Sequence, residues 1–218
     1  MEKALVCLAL LAAVPFSAGA VSSNGVSYTY LEGGYDRVDQ RSSWLGPFDP
    51  SGGYVRGSYV LAGSVYVFGG YAERDDTWRM SIALSDGIPF QISTKMEQRA
   101  TDAGLGFHVS MGEKVDFIGE LSYFNIDRDM TFDVEGGEAS YLSWRDLDGV
   151  HATVGLRGGY ERFEGWLKLG YRDSNDFREH FLGVLGAQYR FTDTWGLVAE
   201  YEGSNEMRRY QVGLRASF

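Results

Sequence analysis

The chain has 218 residues, a net charge of −10, 15% aromatic residues, 29 glycines and only four prolines. So acidic a balance, without clustered lysine and arginine, excludes a nucleic-acid partner. The single cysteine, Cys7, leaves nothing for a disulfide, thiol redox chemistry or a cysteine-based metal site once the N-terminal segment is removed.

Met1 to Ala20 reads as a Sec-type signal peptide: Lys3, an apolar run from Ala4 to Phe16, then Ala18-Gly19-Ala20, with cleavage expected after Ala20. The run of about 13 residues is well short of the roughly 20 needed for a membrane helix. Cys7 also lies too near the start for a lipidation box. Residues 21–218 form one domain, and no later stretch is apolar enough to cross a bilayer as a helix.

Ten alternating runs follow, and each predicts a strand. They are Val26 to Asp36, Gly53 to Leu61, Val65 to Arg74, Arg99 to Ser110, Val115 to Asp127, Val150 to Glu161, Gly165 to Arg172, His180 to Phe191, Trp195 to Gly203 and Arg208 to Phe218. Gly33-Gly34 predicts a bulge in the first run. Tight gaps (62–64, 111–114, 162–164, 192–194) alternate with wider ones, of which 38–52, 75–98 and 128–149 are long. Short turns at one rim and longer loops at the other are the pattern of an up-and-down transmembrane barrel. Such a sheet must close, because an open edge in lipid leaves amides unpaired. Trp78, Met80, Ile82 and Leu84 also alternate inside the second long gap. They predict a hairpin or flap standing above the membrane; a twelve-stranded or an eight-stranded barrel is the alternative.

The more apolar parity faces lipid: Val55, Gly57, Tyr59, Leu61, Leu105, Phe107, Val109, Phe117, Gly119, Leu121, Tyr123, Leu167, Leu169 and Tyr171. The other parity sends Arg56, Asp116, Glu120, Arg157, Glu161, Lys168, Arg172, Gln188, Arg190, Glu200, Arg209 and Arg215 inward. Because a barrel of this size is nearly filled by its own side chains, Glu120, Arg157, Lys168, Glu200 and Arg215 are expected to form a salt-bridge plug. A narrow water-filled passage lined by the same charges is the alternative. Trp44, Trp144, Trp166, Trp195 and Phe191 near strand ends predict interfacial girdles, with Trp44 and Trp144 alternatively on outer loops.

The third long gap is acidic, with Asp127, Asp129, Asp133, Glu135, Glu138, Asp146 and Asp148 against Arg128 and Arg145. Its spacing matches no calcium loop, so it reads as a solvated surface and no metal or other cofactor is expected. An outer-membrane hydrolase would need a histidine near a carboxylate, and His108, His151 and His180 are scattered, with Asp75-Asp76 the nearest acidic pair to a predicted rim. Phosphate-cradling glycine loops, serine elbows and zinc spacings are missing, so no catalytic residue is assigned.

The last strand places Tyr210, Val212, Leu214, Ala216 and Phe218 on one face and Arg209, Gln211, Gly213, Arg215 and Ser217 on the other. It resembles the terminal strand by which the barrel assembly machinery recognises bacterial outer-membrane proteins, with Tyr210, Val212, Leu214 and Phe218 as the signal. Val26-Ser27-Tyr28-Thr29-Tyr30-Leu31-Glu32-Gly33-Gly34-Tyr35, Val67-Phe68-Gly69-Gly70-Tyr71, Phe163-Glu164-Gly165-Trp166 and Trp195-Gly196 carry a second likeness. With them the chain resembles the small outer-membrane barrels of xanthomonad bacteria, a family once proposed to supply a secreted quorum-sensing and plant-immunity signal. The resemblance implies fold and location and transfers no catalytic residue; the stretch from Asp75 to Gln98 is longer than that family's usual second loop.

The expectation is therefore a non-enzymatic ten-stranded barrel in a Gram-negative outer membrane. It would contact lipid and lipopolysaccharide, and serve structure or surface interaction through its outer loops toward an unidentified extracellular ligand.

Overall fold

A computed structural model describes residues 26–40, 49–83, 89–134, 140–175, 180–205 and 207–218. The signal segment with Cys7 and Ala20, and Trp44, lie outside the described residues. The alternating runs become ten strands: β1 Tyr30–Gln40, β2 Ser51–Ala62, β3 Val65–Ala83, β4 Pro89–Ser110, β5 Val115–Val134, β6 Ser140–Tyr160, β7 Phe163–Ser174, β8 His180–Arg190, β9 Trp195–Ser204 and β10 Met207–Ser217. Each pairs antiparallel with its neighbour in sequence, and β1 pairs with β10 from Tyr30↔Ser217 to Gln40↔Met207, which closes the barrel.

Exposed apolar side chains wrap the outside, among them Tyr59, Leu61, Leu105, Phe107, Leu121, Leu167, Leu169, Val212 and Leu214. A continuous apolar belt of this kind is untenable in water and suits hydrocarbon. No helix among the described residues is long and apolar enough to cross a membrane, so crossing rests on the strands. Tyr160, Phe163, Tyr189, Phe191 and Trp195 are exposed at the tight-turn rim, where aromatic rings favour the headgroup level. Trp166 does not join them. It shares parity with Glu164 and Lys168, is 6% exposed, and points into the lumen. The side chain of Trp144 is outside the described residues.

Four strands are far longer than the gap pattern predicts. β3, β4, β5 and β6 have 19, 22, 20 and 21 residues, against 10 to 12 in the other strands. Crossing the hydrocarbon takes about 9–11. The surplus stays paired as far as Ala83↔Pro89, Ile92↔Val134 and Phe132↔Ser140. The stretches 75–98 and 128–149 are therefore mostly strand rather than loop, and Trp78 continues β3 instead of starting an eleventh strand. Continuing the ladder satisfies backbone groups that a loop would have to satisfy individually.

The first strand also shifts, to Tyr30–Gln40. Val26–Thr29 turn into the lumen and bond there, as described below. β1 meets both neighbours without a register shift, so Gly33-Gly34 makes no bulge; the irregularities fall at Val60/Ala62 and Ile126/Arg128.

Candidate functional site

The lumen is built in levels, and the tight-turn end is closed by Val26–Thr29, the residues that precede β1. Val26 is fully buried and packs with Tyr28, Tyr66 and Ile118. The Tyr28 hydroxyl donates to Asp116 at 2.9 Å, and its ring stacks on His108 with centroids 4.1 Å apart. Ser27 Oγ donates to the Phe218 backbone oxygen at 2.7 Å, and Arg157 donates to the Ser27 carbonyl at 2.8 Å. Alternation brings these groups together only because β1 and β10 are neighbours in the closed sheet.

Above this floor lies a belt of ion pairs. Glu32, 1% exposed, accepts from Arg215 Nε at 2.7 Å and from the Tyr54 hydroxyl at 2.5 Å, and sits 2.9 Å from Arg56. Arg56 also donates to Glu200 at 2.7 Å, and Glu200 accepts the Trp166 indole N–H at 2.6 Å. Arg157 Nε donates to Glu164 at 2.7 Å. Lys168 donates to Glu120 at 2.8 Å, and the Tyr66 hydroxyl does so at 2.9 Å. Two glycines make room for the rings: a Cβ at Gly186 would overlap the Trp166 indole, and one at Gly106 the Tyr66 ring.

A further level gathers Arg74, Arg209 and Gln211 on one oxygen of Asp36, and pairs Arg172 with Glu202 at 2.7 Å. Above the belt a cavity of about 230 Å³ reaches toward Val38, Phe124, Leu147, Ser204 and Met207 at the outer strand ends. Among the described residues the result is a cup, closed below and open above.

Of the five lumen charges assigned from sequence, only Lys168 and Glu120 pair directly with one another. Glu200 pairs with Arg56, Arg157 with Glu164, and Arg215 with Glu32. Glu32, Asp36, Arg74, Glu164 and Glu202 are the members that sequence reasoning missed. Glu32 and Asp36 share the parity of Tyr30, a signal blurred by the two intervening glycines; Glu164 was read as part of a turn. Glu161 and Arg190, read as inward, stand at the rim instead. Glu161 is exposed in the β6–β7 turn with φ 54°, and Arg190 donates to its carbonyl at 3.2 Å.

Among the described residues the rim constellation of a histidine with Asp75 or Asp76 is not assembled; the histidine that has a carboxylate near it, His108 with Asp116 at 3.8 Å, lies inside the floor. His108 lies in the floor against Tyr28, whereas His151 lines the cavity. Asp76 accepts the Asp49 amide at 2.8 Å, and no hydrogen bond or ion pair among the described residues joins His151 to Asp75 or Asp76. The side chain of His180 is outside the described residues. In the former third loop, Asp129 pairs with Arg99 at 2.6 Å and Asp148 accepts from Asn175, so these carboxylates are dispersed; Glu135 and Glu138 lie outside the described residues. The described residues contain no group of three or more ligating side chains placed to hold a metal ion.

The extended parts of β3–β6 form a blade beyond the barrel. Its inner face packs Met96 and Met130 with Trp78 and Phe132. Its outer face is charged, and there the hydrogen bond from Lys95 to Glu97 raises the lysine pKa above its ordinary value. The β2–β3 ladder ends at Asp75 and the β6–β7 ladder at Gly149, with one more backbone bond from Asn175 to the Asp148 carbonyl, so among the described residues 76–83 and 140–147 form the blade's two edges.

Solved structures resemble this chain over most of its length. The β domain of the Bordetella autotransporter BrkA aligns with a TM-score of 0.54 at 14% identity, covering 88% of this chain and 100% of that one. The fold is that of outer-membrane barrels. The translocator domain of autotransporter NalP from Neisseria meningitidis gives 0.49 at 15% identity, covering 99% and 96%. Ail, the attachment invasion locus protein of Yersinia pestis, solved with the heparin analogue sucrose octasulfate, gives 0.46 at 16%, covering 87% and 97%. No protein-family model and no curated protein matches the chain.

Proposed function

We propose that this chain is a non-enzymatic barrel of a bacterial outer membrane, delivered after signal cleavage near Ala20, whose role is surface interaction through the blade. The observation that carries the reading is the blade itself: strands about twice the spanning length, paired with one another along the extension, with a packed apolar inner face and two edges that pair with no strand among the described residues. Such edges accept a strand from a partner, and the charged outer face keeps them from sticking to one another. The belt of ion pairs around Glu120, Arg157, Lys168, Glu200 and Arg215 serves as a plug that fixes register. The apolar belt meets lipid, and lipopolysaccharide surrounds the outer rim. Tyr210, Val212 and Leu214, exposed on β10, with Phe218 beyond them, act as the assembly signal. Kinship with the small xanthomonad barrels belongs to the same proposal and rests on the β1, β3 and β7 motifs and the Trp195-Gly196 start of β9.

The test is excision of residues 78–94, with a two-residue turn joining Thr77 to its partner Lys95. Cells displaying the excised barrel, still folded by heat-modifiable gel migration, should lose attachment to other cells and to host-derived surfaces. Equal attachment by a folded, excised barrel overturns the reading.

A further inference from the structure

The outward cavity holds polar groups that the ion pairs leave unused. On its β6–β7 wall His151 and Arg172 are register partners, and both line the cavity. The Nε2 atom of His151 and the Nε atom of Arg172 are buried without a hydrogen-bond partner. His151 makes no hydrogen bond or ion pair among the described residues, whereas Arg172 directs one amino group at Glu202, 2.7 Å away. Arg172 Nε is a donor, and His151 Nε2 is one in the tautomer protonated there; buried polar atoms of this kind are ordinarily satisfied, so two of them side by side mark a place where an acceptor belongs. Next to them the cavity turns apolar: the Phe124 ring lies 5.3 Å from the Arg172 guanidinium, and Leu147 and Leu182 are buried in the same wall.

From this juxtaposition we infer that the cavity binds a small organic anion. Its carboxylate or similar head accepts from Arg172 and His151, and its apolar body lies against Phe124, Leu147 and Leu182. Arginine suits this role because its fork presents a second donor direction after Nη2 is engaged. Across the cavity, Asp102 on β4 has no hydrogen bond or ion pair among the described residues. It repels an anionic head and so keeps it on the β6–β7 side. A pocket of about 230 Å³ with a few convergent polar groups and apolar walls has the build of a small-molecule site. The proposal stands on the lumen alone and does not depend on the blade.

The experiment is calorimetric titration of the full refolded barrel in detergent micelles with hexanoate, with hexanol lacking the charge and inorganic sulfate lacking the apolar body. Hexanoate should bind saturably, and hexanol and sulfate at least about tenfold more weakly, since each lacks one half of the recognition. His151→Ala, which breaks no existing bond, should weaken hexanoate by about tenfold through loss of a hydrogen bond to a charged group. Asp102→Asn should instead tighten it, by roughly threefold or more, because a repelling charge is removed. A gain of affinity cannot come from a damaged fold, so this variant decides the matter even if His151→Ala folds poorly. The proposal is overturned by absence of saturable hexanoate binding, by equal binding of hexanol or sulfate, by an unchanged affinity in folded His151→Ala, or by weaker binding in Asp102→Asn.

Discussion

Glu32 shows most directly what one lumen side chain does. Two guanidiniums and a tyrosine hydroxyl converge on a carboxylate that is 1% exposed, and Arg215 beside it is 2% exposed. Taking both charges out of water is costly, so the pair adds little net stability compared with an apolar filling; removing one member is another matter. Glu32→Ala leaves Arg215 buried without its main partner and should destabilise the barrel by about 3–5 kcal/mol, read as a lower urea midpoint in lipid vesicles. On the blade surface the Lys95–Glu97 pair is about half exposed on each side, and Lys95→Ala should leave that midpoint unchanged. Equal effects from the two substitutions would show that burial does not set the value of these pairs.

Among the elements, the blade is the departure from a minimal barrel. Its strands continue the membrane ladder, so their backbone bonding is inherited from the barrel, yet their apolar packing is their own: Met96 and Met130 are each 3% exposed, with Trp78 and Phe132 beside them. Met96→Ala should cost about 2–5 kcal/mol of local stability, as for other buried methionines. Hydrogen exchange should then quicken at Thr94–Gln98 while β7 to β10 stay as protected as before. Uniform acceleration around the barrel would mean that blade and barrel open as one unit.

At the level of the whole molecule, closure at the tight-turn end follows from the first and last strands meeting. β1 and β10 pair, the Phe218 amide donates to the Thr29 carbonyl at 2.9 Å, and Val26 to Thr29 fold in beneath the ion-pair belt. A lumen filled in this way should give no discrete conductance steps in planar bilayers. Steps that change size in Glu120→Ala or Arg157→Ala would identify a pore instead.

The amino-acid sequence by itself determined which face of most strands meets lipid, because side-chain alternation has a period of two and needs no partner to be read; it favoured ten strands and left eight and twelve open. It also placed Lys168, Glu120, Arg157, Glu200 and Arg215 on the wet side. Tertiary structure alone decided who pairs with whom: Glu32 meets Arg215 across 183 positions of chain, and Arg56 meets Glu200 across 144, through sheet closure that no local pattern encodes. The same holds for Trp166, whose parity pointed inward but whose residue type suggested an interface, and which fits only because Gly186 stands opposite. The blade was hidden for a related reason. Its strands gain their order from neighbours on the adjoining hairpins, so a charged, irregular stretch such as 127–133 reads as loop until the paired strand beside it is known.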